Sequence, residues 1–298
     1  LLLNIIVSNI TMFTGKGGVG KTTCAAATAL HCAVSGATLT ISTDATPSLA
    51  HIFETRGKQT PAEVLPSLHI HELGVKEIKE MWDEKFGREV YEVFSAFVAI
   101  EYEEFVDFMT SVLPGLGEEF MVDYIRELGR RGKYADIIWD TAPLGQTLAL
   151  LQTPALLGNH LKMAPRIYSR LKLGSRTREP VLDILKRWEV LSAENMAFLR
   201  DEVNFTMVTI PEALAVAQLD GIFQELDKYG LKVTQLIINN VVKAPDSEFL
   251  LTRASQQQDY LKHIYSKYSH LKIVELPMFP YELKGLDRLR EVGKILFV

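Results

Sequence analysis

Short apolar runs and longer amphipathic stretches alternate along the chain. Ile10-Thr11-Met12-Phe13-Thr14 predicts a short buried strand, and Thr23-Cys24-Ala25-Ala26-Ala27-Thr28-Ala29-Leu30 predicts an alanine-rich helix. Gly36 is placed to cap that helix, and Ala37–Ser42 and Leu68–Leu73 predict two further strands. A long helical stretch follows from about Lys76 to Arg131, interrupted at Pro114-Gly115, before a buried strand at Ala135–Asp140. A second, more basic helical region runs from about Pro154 to Arg200, with breaks expected near Gly174 and Pro180. Strands then recur at Phe205–Ile210, Val233–Ile238 and Lys272–Leu276. A helix opens at Pro211-Glu212, and an amphipathic helix from Leu283 to Phe297 closes the sequence. Alternation of this kind predicts a doubly wound, mostly parallel α/β sheet with helices on both faces. The expected organisation is one domain over residues 1–298, with helical insertions at about 76–131 and 154–200.

Between the first strand and the first helix lies Gly15-Lys16-Gly17-Gly18-Val19-Gly20-Lys21-Thr22, which fits the phosphate-binding template G-x-x-x-x-G-K-[ST] at every fixed position. Glycines let the backbone curl so that successive N–H groups face phosphate oxygens, and the helix N-terminus adds its positive end. Lys21 is the candidate for the β- and γ-phosphates, and the Thr22 hydroxyl for a place on Mg²⁺. The context makes this a phosphate-loop α/β fold rather than a glycine-rich turn before an ordinary helix.

Composition narrows the class without changing that picture. The chain has 298 residues, 47% hydrophobic and 23% charged, enough for a large core. Its net charge of −5 argues against a general nucleic-acid role. Cys24 and Cys32 both fall on the first predicted helix, about 12 Å apart along it, too far for a disulfide. With no CxxC zinc site, a reducing cytoplasm is expected. Leu1–Val7 is apolar but short, and reads as sheet edge rather than signal peptide. No run approaches the roughly 20 apolar residues of a membrane span.

Two acids stand at strand ends. Asp140 is placed to steady the shell of a Mg²⁺ ion, with turn capping as its ordinary alternative. Asp44 is the candidate that orients or deprotonates an attacking water; its alternative is to cap the segment at Ser48-Leu49-Ala50. Asn239 or Asn240 offers an amide suited to an adenine edge. His51, His69 and His71 have no metal-like partners in sequence and read as structural.

With Lys16 just after the first glycine, K-G-G-V-G-K-T resembles the deviant phosphate loops of the ParA, MinD, nitrogenase iron protein and ArsA class. That resemblance implies a lysine reaching into the partner's nucleotide across a dimer interface; a solvated loop lysine is the alternative. Further motifs narrow it. Ser42-Thr43-Asp44 with Ser48-Leu49 is similar to the first switch of the ArsA family, and Asp140-Thr141-Ala142-Pro143-Leu144-Gly145-Gln146-Thr147-Leu148 to its second. Leu113-Pro114-Gly115, Pro211-Glu212, Ile238-Asn239-Asn240, and Pro277 with Glu282-Leu283-Lys284-Gly285 resemble later motifs of that family, in order. Ala45-Thr46-Pro47 departs from its first switch, Gln146 replaces its histidine, and its CxxC is absent.

The resemblance implies a dimeric ATPase using ATP and Mg²⁺, with no zinc. Nucleotide contacts fall to Gly15, Lys16, Gly17, Gly18, Val19, Gly20, Lys21, Thr22, Thr23, Asn239 and Pro277. Asp44, Lys16 and Lys21 are implied as catalytic, with Thr22 and Asp140 at the metal. Two outputs compete: binding and targeting hydrophobic, tail-anchored membrane-protein segments, or driving a metalloid efflux pump as its motor subunit. A ParA/MinD-like positioning switch fits the later motifs poorly. The expected partners are a second copy and a hydrophobic client or membrane receptor, with no nucleic acid. The apolar run Val90–Ile100 favours targeting, because a helix from Lys79 to Val112 would be about 50 Å long and could line a tail anchor of about 30 Å. The alternative is that the region Leu156–Leu199 covers that run permanently as core.

Overall fold

The computed structural model of the chain describes residues 8–44, 48–55, 61–95, 99–112, 116–141 and 175–297. Chain contacts divide it into two compact units, the first comprising Leu1–Glu72, Gly129–Thr147 and Glu202–Val298, and the second Leu73–Leu128 and Leu148–Asp201.

The first unit is an eight-stranded sheet made of β1 (Asn9–Gly15), β2 (Thr38–Ser42), β3 (Ala62–Leu65), β4 (Leu68–Glu72), β5 (Asp136–Asp140), β6 (Val203–Thr209), β7 (Val233–Val241) and β8 (Lys272–Pro277). Their order across the sheet is β3-β4-β2-β5-β1-β6-β7-β8. All neighbours are parallel except the edge strand β3, which pairs antiparallel with β4. Central strands are buried on both faces, which is why they read as continuous apolar runs: every residue of β2 is buried. The doubly wound α/β architecture expected from the sequence is therefore present.

Helix α1 (Lys21–Cys32) lies against this sheet, with Cys24 through Leu30 buried. Its alanines permit close approach of the last helix of the unit, Gly285–Leu296, where a side chain at Gly293 would come within 3.4 Å of the Ala27 carbonyl. At that contact His31 stacks on Phe297, ring centroids 3.9 Å apart.

Two elements escaped the sequence pattern. Strand β3 is only four residues long and has no fully buried position. The helix Glu248–Lys267 buries only Gln257, Leu261 and Ile264, a stripe too thin to stand out; its start is marked by Ser247, whose hydroxyl accepts from Leu250 N at 3.3 Å.

The second unit is helical. Helix α3 (Val75–Trp82) follows the short α2 (Leu49–Ile52) in chain order; it runs through one π turn at Asp83–Gly87 into α4 (Arg88–Phe94). Helices α5 (Tyr102–Val112), α6 (Leu116–Arg131) and α7 (Ser175–Asp201) complete the described residues. Trp82, Phe86, Phe105, Val106 and Phe120 form its core, with Tyr91 and Tyr102 packed against them. The single helix expected over Lys79–Val112 is not formed. It ends at Phe94, and α5 returns so that the Tyr91 ring meets Phe105 at 5.4 Å and Tyr102 at 5.0 Å. Folding back buries aromatic surface that a straight helix would leave uncovered.

Trp188 and Leu191 of α7 pack on the same core, so part of the second helical region does cover the first. The break expected at Pro180 is also absent, since α7 runs continuously from Ser175 through it. Leu1–Val7, Ala45–Pro47, the side chains of Val93 and Phe94, Ala96–Val98 and the second-switch residues from Ala142 to Leu148 lie outside the described residues. Among the described residues no helix is long and apolar enough to cross a membrane.

Burial in α1 has a measurable consequence. It pushes the Cys24 thiol up to about 12 and the Cys32 thiol up to about 11, with nearby Asp140 and Asp136 adding to each. At pH 8 the thiolate at Cys32 is about one part in a thousand, and less at Cys24. Native protein should therefore label slowly with a thiol-specific chromogenic disulfide at pH 8, and two thiols should appear at an ordinary rate in denaturant. One fast-labelling thiol in native protein would contradict the burial of α1.

Candidate nucleotide site

Because the strands are parallel, their carboxyl ends bring Gly15, Ser42, Asp140 and Asn239 to one edge of the sheet. The loop after β1 is shaped by positive backbone angles at Gly15, Gly18 and Gly20. Two of these are enforced by neighbours. A side chain at Gly15 would collide with the Val208 carbonyl of β6, and one at Gly20, with φ +97°, would collide with the Asn239 amide.

Lys21, the first residue of α1, turns its side chain back under the loop, and its Nζ donates to the Lys16 carbonyl at 3.2 Å. It is 7% exposed, and burial lowers its pKa from the ordinary lysine value against the opposing pull of Asp140 and Asp44. Next to it, Thr22 Oγ1 donates to Asp140 Oδ2 at 2.8 Å.

Asp140 is fully buried between β1 and β2, opposite Phe13 and Ser42 in register. Burial is the main cause that pushes its carboxyl up to about 6; the Thr22 bond and the Lys21 ammonium oppose the rise, and Asp44 adds to it. Its Oδ1 makes no hydrogen bond among the described residues, while the Ser42 hydroxyl accepts from Asp44 N at 3.2 Å and, like Thr22, opposes the rise by hydrogen bonding to the carboxylate. A threonine hydroxyl and a carboxylate with a free oxygen are hard donors, the type Mg²⁺ takes. They fit that ion.

The structure thus brings Lys21, Thr22, Asp44 and Asp140 together, with the Lys16 carbonyl joined to them. Asn239 reaches the same loop, where its Nδ2 donates to the Val19 carbonyl at 2.9 Å. Pro277 sits beside Val241 at the end of β8, and Thr23 follows Thr22 half-buried on α1. At the Ser48–Ala50 segment, Glu72 Oε1 receives Leu49 N at 2.8 Å and Ala50 N at 3.3 Å.

Glu72 was missed in the sequence, although it ends the strand beside β2 and is aligned with Ser42. Two more braces had no sequence signal: Trp139 Nε1 donates to Thr43 Oγ1 at 3.1 Å, and Thr141 Oγ1 to the Phe13 carbonyl at 2.7 Å. Among the described residues no group of three or more His, Cys, Asp or Glu side chains is placed to hold a metal ion, so a Mg²⁺ ion here would draw on Thr22, Asp140 and phosphate oxygens.

An arrangement that can seat a phosphate chain on backbone amides and a buried lysine, beside a place for a divalent cation, defines a phosphate-loop nucleotide hydrolase. More narrowly, the chain belongs to the anion-transporting ATPase (ArsA) family, whose model matches residues 8–298, and it is an ATPase. It is 30% identical to a "putative arsenical pump-driving ATPase 2" of Aquifex aeolicus, over 95% of this chain and 97% of that protein. It is also 30% identical to ATPase GET3A of Arabidopsis thaliana, over 93% and 80% of the two chains. With ATPase GET3 of Komagataella phaffii the identity is 29%, over 95% and 88%.

The buried carboxylate makes the site unfavourable for stability near neutral pH. A carboxyl whose pKa is higher in the folded than in the unfolded chain binds more protons when folded. Its contribution is full below the ordinary aspartate value of 3.8 and is lost as pH rises through about 6. In metal-free, nucleotide-free protein, Asp140→Asn should therefore raise stability at pH 7 by up to about 3 kcal/mol and have little effect at pH 4. ATPase activity should be lost. Denaturant melts at the two pH values check this, and a destabilised variant at pH 7 would contradict it.

Proposed function

We propose that the chain is a Mg²⁺-dependent ATP hydrolase that works as a nucleotide-switched homodimer and binds and targets hydrophobic, tail-anchored segments of membrane proteins. The Thr22–Asp140 bond beside buried Lys21, with Asp44 in electrostatic range of both, is the observation that carries the chemistry. In this reading the amides from Gly15 to Thr23 and the Lys21 ammonium bind phosphates, and Thr22 and Asp140 hold Mg²⁺, directly or through water. The ion, when bound, neutralises phosphate charge. Asp44 orients the attacking water, Asn239 and Pro277 meet the base, and Lys16 completes the partner's site.

The motor subunit of a metalloid pump is the second reading, favoured by the name of the Aquifex relative. Metalloid capture needs clustered soft thiolates, whereas both cysteines here are protonated and one is fully buried. That weighs toward the targeting role.

Lys21→Ala should abolish nucleotide binding, whereas Asp44→Asn should keep binding and lose turnover by about 10² or more. Equilibrium binding and steady-state hydrolysis separate the two, and near-normal turnover in Asp44→Asn would sink the assignment. Action of Lys16 across the dimer has its own test. When Lys16→Ala and Asp44→Asn chains are mixed, hybrid dimers hold one site with both lesions and one with neither, so activity should recover in part. Confirmed hybrids without recovery would place Lys16 within its own site or couple the two sites obligatorily.

A further inference from the structure

Strand β7 does not run regularly to its end. Ile238 pairs with Glu275 of β8 and Val241 with Pro277, so three steps on β7 match two on β8. The extra residue falls at Asn239-Asn240, and Asn240 takes the left-handed conformation, φ +57°. A bulge of this kind removes regular ladder bonds and re-aims a side chain. Here the re-aimed side chain is Asn239, whose Nδ2 is committed to the Val19 carbonyl of the phosphate loop.

The backbone groups flanking the bulge are taken by one side chain from outside the sheet. Gln257, on the helix Glu248–Lys267, donates Nε2 to the Asn240 carbonyl at 3.0 Å and accepts Val242 N at Oε1 at 2.9 Å. Gln257 is 3% exposed, and its two bonds straddle Val241 much as a neighbouring strand would. A buried glutamine on an otherwise apolar stripe is expensive unless both ends of its amide are used. Here both ends are used on the bulge.

Because Val19 O can only accept, the orientation of the Asn239 amide is set: Nδ2 faces the loop, and Oδ1 is left as the outward group. Asn239 is 6% exposed, and Oδ1 is buried with no hydrogen-bond partner. A buried acceptor of fixed direction calls for a donor, which the exocyclic amine of adenine supplies and the carbonyl of guanine does not.

We propose that Gln257 is a positioning residue for nucleobase selection. By bracing the bulge at Asn239-Asn240 it fixes the direction of the Asn239 amide, and through it the preference for adenine over guanine nucleotides. This rests on the nucleotide reading of the site and adds to it a determinant outside the phosphate loop.

The test is the ratio of ATP to GTP dissociation constants in the full chain, measured for the parent, Gln257→Leu, Asn239→Ala and the double variant. Both nucleotides carry the same triphosphate, so damage to the phosphate loop cancels from the ratio. Gln257→Leu should lower the preference for ATP by about tenfold, the scale of one buried hydrogen bond. In the Asn239→Ala background the same substitution should lower it no further, because the residue acts through Asn239. Gln257→Glu serves where the leucine variant does not fold: it keeps the acceptor for Val242 N, loses the donor to Asn240 O, and should lose preference likewise.

An unchanged ratio in a folded Gln257 variant, or an additive loss in the double variant, overturns the relay alone. A parent chain that binds no ATP overturns the nucleotide reading itself, and one that binds ATP and GTP alike overturns base reading by Asn239 and the relay with it.

Discussion

The site depends on a pair of opposite charges held where neither is well solvated. Lys21 and Asp140 are both buried, burial disfavours the charged form of each, and each opposes the penalty of the other. Such a pair is tolerable only where backbone and hydroxyl groups supply the missing hydrogen bonds, and the surroundings do so. The Lys16 carbonyl takes the ammonium and the Thr22 hydroxyl takes one carboxylate oxygen. Parallel pairing puts these groups within reach of one another, since β1, β2 and β5 end side by side. A site built this way resembles a half-finished complex. Its buried charges weigh against the stability of the protein alone.

The parts of the sequence that could be read were those in which local chemistry and global fold demand the same residue. Gly15 must lack a side chain because β6 passes too close, and Gly20 because Asn239 does; both are also fixed letters of the phosphate-loop pattern. Asp140 closes a run of buried apolar residues, so its placement at a strand end followed from the run itself. The residues that escaped notice act across strands. Glu72 holds Leu49 and Ala50, more than twenty positions away, and Gln257 serves β7 from a helix with a weak apolar stripe. Neither carries a spacing that a linear pattern can detect. Their meaning appears only once the register of the sheet is known.

The helical unit shows how periodicity can mislead. From Val90 to Ile100 nearly every position is apolar, which reads as one long buried helix. The same content is also satisfied by two shorter helices that cover each other, and this is the outcome. Tyr91 bridges the two by donating its hydroxyl to the Ile100 carbonyl at 2.9 Å while its ring meets Tyr102 and Phe105. Apolar content fixes how much surface needs cover, but not which element supplies it. A groove for a hydrophobic segment is therefore not to be inferred from helix length in this unit.

Polar side chains rather than strand pairing control the rim of the sheet, and this has a physical reason. A regular ladder would continue β7 straight past the phosphate loop, with successive side chains alternating between the two faces. Reaching the loop requires a departure from that alternation, and a departure exposes backbone groups that must be satisfied within a buried edge. Gln257 meets that need at β7, Glu72 meets it at the start of α2, and Thr141 does so for the Phe13 carbonyl at the end of β1. Each is a side chain that binds a backbone group near the rim of the sheet. Because each of these bonds is made by one side chain rather than by a ladder, a single substitution can release a rim group while the sheet beneath keeps its pairing.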